Sequence, residues 1–479
     1  MREILALVML SGCSLLYDPD RLPTFGGSDA GTDSMGSSDG PPDAGFVDSI
    51  VEPLRIYEGQ GIDNSRPAIL TIQGTGFVAG AVTVTIAPTA TGAMADLVLG
   101  SVNVAADGRS LAVPVVANIM PTVGNETAVP LTITIEQTGE PKITLAWTEV
   151  ALDELTAITQ LPPTQNRYSR VALAAAGTLP TGGPRVSIHS MSSISLAAFH
   201  ADAMTTAPGA GGCAGGAPGL PGACPGAGGA GTKADANMPV ASAGGGAGFS
   251  VRGGDGGANT GGPVVGDPFV ASYAAPANVA SGGGGGGSSA LGTADGGAGG
   301  AGGGTLELHA DGNLTTAALT ALGGAGGAGA GGTGGGGAGG LLILRTGHTL
   351  AVSSVNVAGG TGGFAGNPGS AGRIRVDAPL GSITGAQIGP AFAISTPVVT
   401  TQSTLTVSIR TPSGVAFKLS RLDQHGALVE LADVVSGTGT ADVAVPLVEG
   451  WNRLCVTVPG GAYADDIANE CVELALIPN

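Results

Sequence analysis

The stretch TLELHADGNLTTAALTALGG, Thr305 to Gly324, aligns without gaps to LLILRTGHTLAVSSVNVAGG, Leu341 to Gly360. Aliphatic residues coincide in four matched pairs: Leu306 with Leu342, Leu308 with Leu344, Leu314 with Leu350, and Leu319 with Val355. Apolar residues two positions apart are typical of a strand with one buried face. Each unit therefore predicts an alternating strand, a small turn and a second short strand, and the unit repeats.

Further copies of the unit flank these two. An upstream copy has its apolar residues at the same places: Val186, Ile188, Ile194 and Phe199. A degenerate downstream copy has three of them: Ile374, Val376 and Ile383. At closer spacing, one more copy is expected before the first, with three residues equivalent to Val186, Ile188 and Ile194: Val171, Leu173 and Leu179.

A single unit of this kind cannot bury its apolar edge, whereas stacked neighbours can, as in solenoids. We therefore expect a parallel β-helix-like stack. Antiparallel hairpins are the alternative, because HADGN at 309–313 also has the composition of a hairpin turn. The Gly/Ala tracts Gly209–Gly304 and Gly323–Gly340 are expected to lie as long loops outside the stack. Two conformations are open for them: disorder, or packed extended helices of the polyproline-II type.

Segments on both sides of the repeats alternate in the manner of antiparallel sandwiches. Ile69 to Phe77, ILTIQGTGF, resembles the core of IPT/TIG immunoglobulin-like domains. Val445 to Leu454, VPLVEGWNRL, resembles the penultimate strand of bacterial Ig-like domains. The predicted fold class is all-β, with two Ig-like β-sandwich modules flanking a glycine-rich parallel β-helix-like repeat region. The expected domains are an IPT/TIG-like domain at 51–150, the repeat region at 151–395 and a C-terminal Ig-like domain at 396–479.

The first residues, MREILALVMLSGC, combine Arg2, an apolar stretch and a small-residue ending, which indicates a secretion signal. Leu10-Ser11-Gly12-Cys13 resembles the lipobox of bacterial lipoproteins. The resemblance implies a signal peptide at 1–13, lipidation of Cys13, and, because Ser14 rather than Asp follows, transfer to the outer membrane. Residues 14–50 are rich in Asp, Gly, Ser and Pro, which predicts a disordered acidic tether.

The four remaining cysteines form two local pairs in the sequence, Cys213 with Cys224 and Cys455 with Cys471. Pairing within each couple leaves no free thiol, as expected for an exported protein in an oxidising compartment. We therefore predict two disulfides, with reduced buried thiols as the alternative.

Composition argues against several functions. The formal net charge is −18 and no basic run exists, so nucleic acid is not an expected partner. We expect no metal site and no cofactor, because the histidines stand singly in the sequence: His189, His200, His309, His348 and His425. The acids of the repeats, Glu307, Asp311 and Asp377, include no adjacent pair, so enzymatic activity is not expected.

The sequence thus predicts a non-catalytic lipoprotein displayed on the outside of the outer membrane and serving adhesion or cell-envelope structure. Its expected partners are the membrane, through the lipid on Cys13, and an extracellular matrix, glycan or protein ligand. Two alternatives stay open: a β-helix enzyme acting on polysaccharide, and a structural spacer that assembles with copies of itself.

Overall fold

The structure is a computed structural model of the chain. The description covers residues 50–52, 55–60, 68–89, 97–118, 127–161, 167–224, 226–231, 243–249, 253–255, 296–329, 332–363, 367–388, 391–397, 399–410, 416–423, 426–435, 440–457 and 470–476. Within these ranges the protein is all-β, with a single 3-10 turn at Ile158–Gln160 and no α-helix. The predicted all-β class is therefore confirmed. No helix long and apolar enough to cross a membrane occurs in the described part.

The N-terminal module is built from nine strands in two sheets. The strands are β1 (Ile50–Glu52), β2 (Arg55–Tyr57), β3 (Ala68–Gln73), β4 (Val82–Pro88), β5 (Leu97–Leu99), β6 (Asn103–Val104), β7 (Ser110–Asn118), β8 (Thr127–Gln137) and β9 (Ile143–Ala151). One sheet has the order β1-β3-β7-β5, with β6 also on β7, and the other has the order β2-β9-β8-β4. Side chains from both sheets share one core, which includes Leu70, Val113, Ile133 and Trp147.

Strand alternation explains why these segments pair as they do. In β8 the aliphatic residues at every second position are buried, while the polar residues between them face outward. Burying each such side chain contributes about 1.5–3 kcal/mol. The strand pairs of this module are antiparallel except for that of β2 with β9, which is parallel. The assignment to the IPT/TIG family stays a prediction.

The repeats form a stack of short strands whose coils contribute to two sheets. The strands are β10 (Arg167–Tyr168), β11 (Val171–Leu173), β12 (Gly177–Thr178), β13 (Val186–Ser190), β14 (Ile194–His200), β15 (Thr305–Ala310), β16 (Leu314–Thr320), β17 (Leu341–Thr346), β18 (Thr349–Val352), β19 (Val355–Asn356), β20 (Arg373–Asp377), β21 (Leu380–Ile383) and β22 (Gln387–Ile388). One sheet runs β10-β13-β15-β17-β20, and the other runs β11-β14-β16-β18-β21. All the pairs between these neighbours are parallel.

The register matches the sequence alignment of the repeats. Opposite partners include Leu306 and Leu342, Leu308 and Leu344, Leu314 and Leu350, and Leu319 and Val355. The upstream copy pairs in the same way, with Val186 opposite Leu306 and Phe199 opposite Leu319. These side chains pack into one apolar core between the two sheets, in which Val186 is partly buried and the others are fully buried.

Two expectations need correction. Val171 and Leu173 pair with Ile194 and Leu196 rather than with the first strand of that unit. The strand that pairs with β13 is instead β10, which the apolar pattern did not mark. The hairpin alternative is also wrong for 309–313, because β15 and β16 on either side of this turn belong to different sheets.

The C-terminal module continues directly from the stack. Its strands are β23 (Ala391–Ser395), β24 (Val399–Thr400), β25 (Thr404–Arg410), β26 (Ala416–Asp423), β27 (Leu428–Val435), β28 (Thr440–Pro446), β29 (Gly450–Thr457) and β30 (Glu470–Leu476). β23 pairs in parallel with β20 and antiparallel with β25, so one sheet extends from β10 to β28 without interruption. The second sheet, β24-β30-β29-β26-β27, shares a core with β25 and β28.

The described glycine tracts are packed rather than left as separate loops. We call the segments 209–216, 243–249, 296–304, 321–329, 332–340, 357–363 and 367–372 the glycine bundle. The N–H groups of Gly297, Gly300 and Gly303 donate to the carbonyls of Gly332, Gly335 and Ala338 over 2.7–2.9 Å. Those of Gly334, Gly337 and Gly340 donate to Gly327, Gly324 and Ala321.

These bonds recur every third residue, the period of a polyproline-II helix. No glycine of 296–304 or 332–340 has a positive φ, which agrees with that conformation. Of the two conformations considered, the packed extended helices are therefore the one adopted here.

Only glycine fits at many bundle positions, because neighbouring backbones approach too closely for a side chain. A Cβ on Gly300 would lie 1.9 Å from the carbonyl oxygen of Gly324. A Cβ on Gly337 would lie 1.9 Å from that of Ala301, and one on Gly360 1.9 Å from that of Gly324. Backbone hydrogen bonds, rather than buried side chains, thus hold this layer together.

Gly300→Ala is therefore expected to destabilise the protein by about 1–3 kcal/mol through overpacking. The matched control is Gly183→Ala, because a Cβ there meets only the carbonyl oxygen of Pro180 at an ordinary 3.7 Å. Urea unfolding followed by circular dichroism measures both variants. Equal unfolding midpoints for the two would contradict the packed bundle.

Candidate functional site on the outer face of the stack

The parallel ladder lines up ionisable side chains on the outer face of the sheet that contains β13 and β15. Odd-numbered residues of β15 point outward, since Leu306 and Leu308 occupy the core. The partners in register form a row that we call the outer column: Arg167, His189, His309, Arg345 and Asp377. In a parallel ladder, residues at matching positions of neighbouring coils are brought side by side.

Acidic and basic side chains alternate on the part of this face formed by β15, β17 and β20. Arg345 lies between two carboxylates, with Nη1 3.3 Å from Glu307 and Nε 3.4 Å from Asp377. Arg375 donates from Nε to the other oxygen of Asp377 over 2.7 Å, and Ser187 donates from its hydroxyl to Glu307 over 3.2 Å. Each of these two acids is thus bound by a guanidinium group, and neighbouring like charges are separated.

Arg375 also connects the stack to the C-terminal module. Its side chain is only 1% exposed, and burial lowers the pKa of the guanidinium while Asp377 opposes that shift. From Nη2 it reaches the carbonyl oxygen of Cys471 at 3.4 Å. The buried charge of Arg375 is thus compensated by hydrogen-bond partners on both sides of the junction between the stack and the C-terminal module.

The upper part of the face contains two stacked histidines beside an aspartate. The rings of His189 and His309 are parallel to within 1°, with centroids 4.1 Å apart. Asp311 follows directly after β15, and its Oδ1 lies 2.9 Å from His189 Nε2 and 3.7 Å from His309 Nε2. Burial, then His189 and Arg345, lower the pKa of His309 to about 3, while Asp311 acts in the opposite direction.

The glycine bundle covers the remaining part of this face. Leu341 and Ile343 of β17 point away from the stack core and pack against Ala247 and Phe249. The guanidinium of Arg373 lies 5.0 Å from the Phe249 ring centroid and donates to the Phe249 carbonyl over 3.1 Å. Among the described residues, the part of the face that the bundle leaves uncovered is the polar strip around the outer column.

The sequence-predicted site residues are distributed over three places. Cys13 lies outside the described residues, as do the signal peptide and residues 14–49 of the expected tether, whereas Ile50 belongs to β1. Cys213 and Cys224 lie at disulfide distance, with Cα atoms 6.2 Å apart, in a loop whose Cys213 carbonyl accepts a bond from Gly302. Cys455 and Cys471 are register partners on β29 and β30, with Cα atoms 4.1 Å apart.

The sequence-based expectation missed the grouping of His189, His309 and Asp311. Because the histidines stand singly along the chain, no metal site was expected among them. The repeat alignment contains the signal, because pairing Val186 with Leu306 also places His189 opposite His309. The position of Asp311 beside the two histidines could not be predicted from the alignment, because it depends on the conformation of the turn. There the Asp311 N–H donates to the Ser190 carbonyl over 3.0 Å.

Comparison with known proteins gives no match, since no family model, no curated protein and no solved structure is significantly similar to the chain. The chemistry of the site therefore has to be judged from its own geometry. Its acids are engaged by guanidinium or imidazole groups, and its imidazoles face an anionic oxygen. In this arrangement the charged side chains pair across neighbouring strands of the sheet.

Lowering the pH is expected to test the environment of His309. The unfolded chain takes up a proton there below about pH 6.5, whereas the folded protein does so only near pH 3. The stability that the neutral His309 contributes to the folded protein is therefore complete above about pH 6.5. It is lost as the pH falls toward about 3, because only the unfolded chain binds the proton in this range. At about pH 4.5 the loss amounts to as much as about 3 kcal/mol.

His309→Gln is therefore expected to lose less stability than the parent protein between about pH 7 and pH 4.5. Urea unfolding at both pH values measures the two differences. His200→Gln is the matched control, because it removes an imidazole from the other parallel sheet. An equal effect of the two substitutions would show that His309 has no special environment.

Proposed function

We propose that the protein is a non-catalytic lipoprotein, anchored by Cys13 and displayed outside the outer membrane, where it serves adhesion or cell-envelope structure. The lipobox-like Leu10–Cys13 and Ser14 support the anchor and its destination. The acidic segment 14–50 supports a spacing role between the membrane and the folded part. A single lipid chain binds membranes only marginally, so several chains or a second signal are needed for durable attachment.

Continuous β-pairing is the observation that carries the structural role. The sheet from β10 to β28 passes from the stack into the C-terminal module through β23. At the other end, Leu155 forms a parallel bridge to Val171, and Val150 and Leu152 pack with Met191. Modules joined by shared strands and core contacts resist bending, which suits a stalk or display scaffold.

The polar face supports binding rather than reaction. Arg345 engages both Glu307 and Asp377, so these carboxylates take part in a charge network within the sheet. Polysaccharide hydrolysis requires two carboxyl groups placed on either side of a scissile bond. The network instead offers alternating charges along a ladder, which is a pattern suited to contact with polar ligands.

The anchor is tested by fractionation of cells that export the full chain. Cys13→Ser is expected to move the protein from the outer-membrane fraction to the soluble fraction, because no acyl chain is attached. Ser14→Asp is expected to move it to the inner membrane, and Ser14→Ala is the matched control that leaves it in place. Mass spectrometry of the N-terminal peptide identifies the lipid.

Retention of the Cys13→Ser variant in the outer membrane would overturn the anchor. Display is tested separately by adding a protease to intact cells. Digestion of the parent protein is expected, whereas protection in intact cells together with digestion after lysis would place the protein on the inner side of the membrane.

The polysaccharide-acting alternative is favoured by one observation: Glu307 and Asp377 lie on the outer face of the same sheet, and Asp311 lies in the turn that follows β15. We expect the purified protein to release no reducing ends or unsaturated products from acidic polysaccharides. Release of products that is abolished by Glu307→Gln or Asp377→Asn would replace the non-catalytic proposal with this alternative.

A further inference from the structure

The cluster of His189, His309 and Asp311 is the one group in the described chain whose side chains are spaced to hold a metal ion. Two of its members come from neighbouring coils, β13 and β15, and the third from the turn that follows β15. The three candidate ligand atoms lie within 4.8 Å of one another. The cluster stands apart from the predicted lipid anchor and from both cysteine pairs.

Backbone bonds hold the cluster in place. In-register pairing of β13 with β15 fixes the separation of the two histidines. The N–H groups of Asp311 and Gly312 donate to the carbonyls of Ser190 and Ser192, over 3.0 and 2.6 Å. The aspartate is thus set against the coil that supplies His189. A site held by rigid strands and a pinned turn loses little entropy when it binds a ligand.

We propose that His189, His309 and Asp311 bind one divalent transition metal ion through two imidazole nitrogens and one carboxylate oxygen. Tetrahedral coordination with bonds of about 2.0–2.1 Å places ligand atoms about 3.3 Å apart. The Oδ1 of Asp311 is 2.9 Å from one Nε2 and 3.7 Å from the other, on either side of that value. The stacked rings of His189 and His309 are parallel, so binding one ion requires them to tilt toward each other until both Nε2 lone pairs point at it.

Access and donor type define the kind of ion. The side chains of His189, His309 and Asp311 are 17%, 23% and 26% exposed, so solvent reaches the cluster. Imidazole suits zinc, copper and nickel, whereas magnesium and calcium prefer sites made of oxygen donors. The chemistry therefore points to a Zn²⁺-class ion.

Nearby charges are compatible with a cation. In the outer column Arg167 is the register partner of His189 and Arg345 that of His309, and the guanidinium of Arg345 is shared between Glu307 and Asp377. Asp311 supplies the negative charge of the cluster itself. Neutral imidazole is the form of histidine that binds metals.

Metal uptake by the full-length chain, produced without a polyhistidine tag, tests the proposal. Equilibrium dialysis against Zn²⁺ is expected to show one bound equivalent that survives removal of weakly held ions. Co²⁺ at the same site is expected to give the visible absorption of a nitrogen- and oxygen-coordinated tetrahedral ion. Zn²⁺ should also raise the thermal unfolding midpoint, because binding favours the folded state.

Two variants and a matched control locate the ion. His189→Gln and His309→Gln are each expected to weaken Zn²⁺ binding at least about tenfold, since each removes one of three ligands. His200→Gln is the control, because His200 also lies near an aspartate, with Nδ1 3.9 Å from Asp202, but has no second histidine beside it in the described structure. It should bind Zn²⁺ like the parent protein.

Circular dichroism of the metal-free variants shows whether each one is folded, so weak binding cannot be mistaken for misfolding. Folded His189→Gln and His309→Gln proteins that bind Zn²⁺ as tightly as the parent would overturn the proposal. Binding of no stoichiometric equivalent by the parent would overturn it as well, as would an equal loss of affinity in the His200→Gln control.

Discussion

In-register parallel pairing between repeat coils is the constraint on which the rest of the structure depends. It places aliphatic side chains of successive coils above one another, so that Val186, Leu306, Leu342 and Ile374 share one column. A one-residue slip in any coil would move its aliphatic set to the outer face, because side chains alternate along a strand. The same ladder necessarily aligns the outward residues, and the polar face is therefore a consequence of how the core packs.

The glycine bundle solves a different problem with the same backbone chemistry. The insertions between coils contain few side chains large enough to form a core, and ordering each glycine costs more backbone entropy than ordering other residues. Close packing of extended segments satisfies N–H and carbonyl groups on several sides at once, as with Gly337, which donates to Gly324 and accepts from Gly360. The bundle is also attached to the sheet by side chains. Phe249 packs against apolar residues of β17, and the guanidinium of Arg373 makes a cation–π contact with its ring.

Much of this fold could be predicted from the sequence, because the ladder requires what the alignment displays. The matched pairs Leu306–Leu342 and Leu314–Leu350 are neighbours in the structure. The first coil could not be aligned correctly from the sequence. Its strand Arg167–Tyr168, the upstream partner of β13, is too short to show a period. The sequence does contain a signal for the bundle, because GGAGGAGGG at 296–304 repeats every third residue, as its hydrogen bonds do. The contact between Phe249 and Arg373 had none, because it joins segments far apart in the chain.

The candidate site shows how a parallel ladder brings single histidines from neighbouring coils into direct contact, which changes their environment. A lone histidine on a strand is usually solvated, but matching positions on neighbouring coils bring two rings to a centroid distance of 4.1 Å. Stacking removes water from both rings, and two imidazolium groups so close would repel each other, which is why the pKa of His309 falls. A carboxylate from the adjoining turn then becomes the natural partner of the pair. Paired imidazoles and an anionic oxygen can thus arise from repetition alone, before any selection for binding acts on the individual residues.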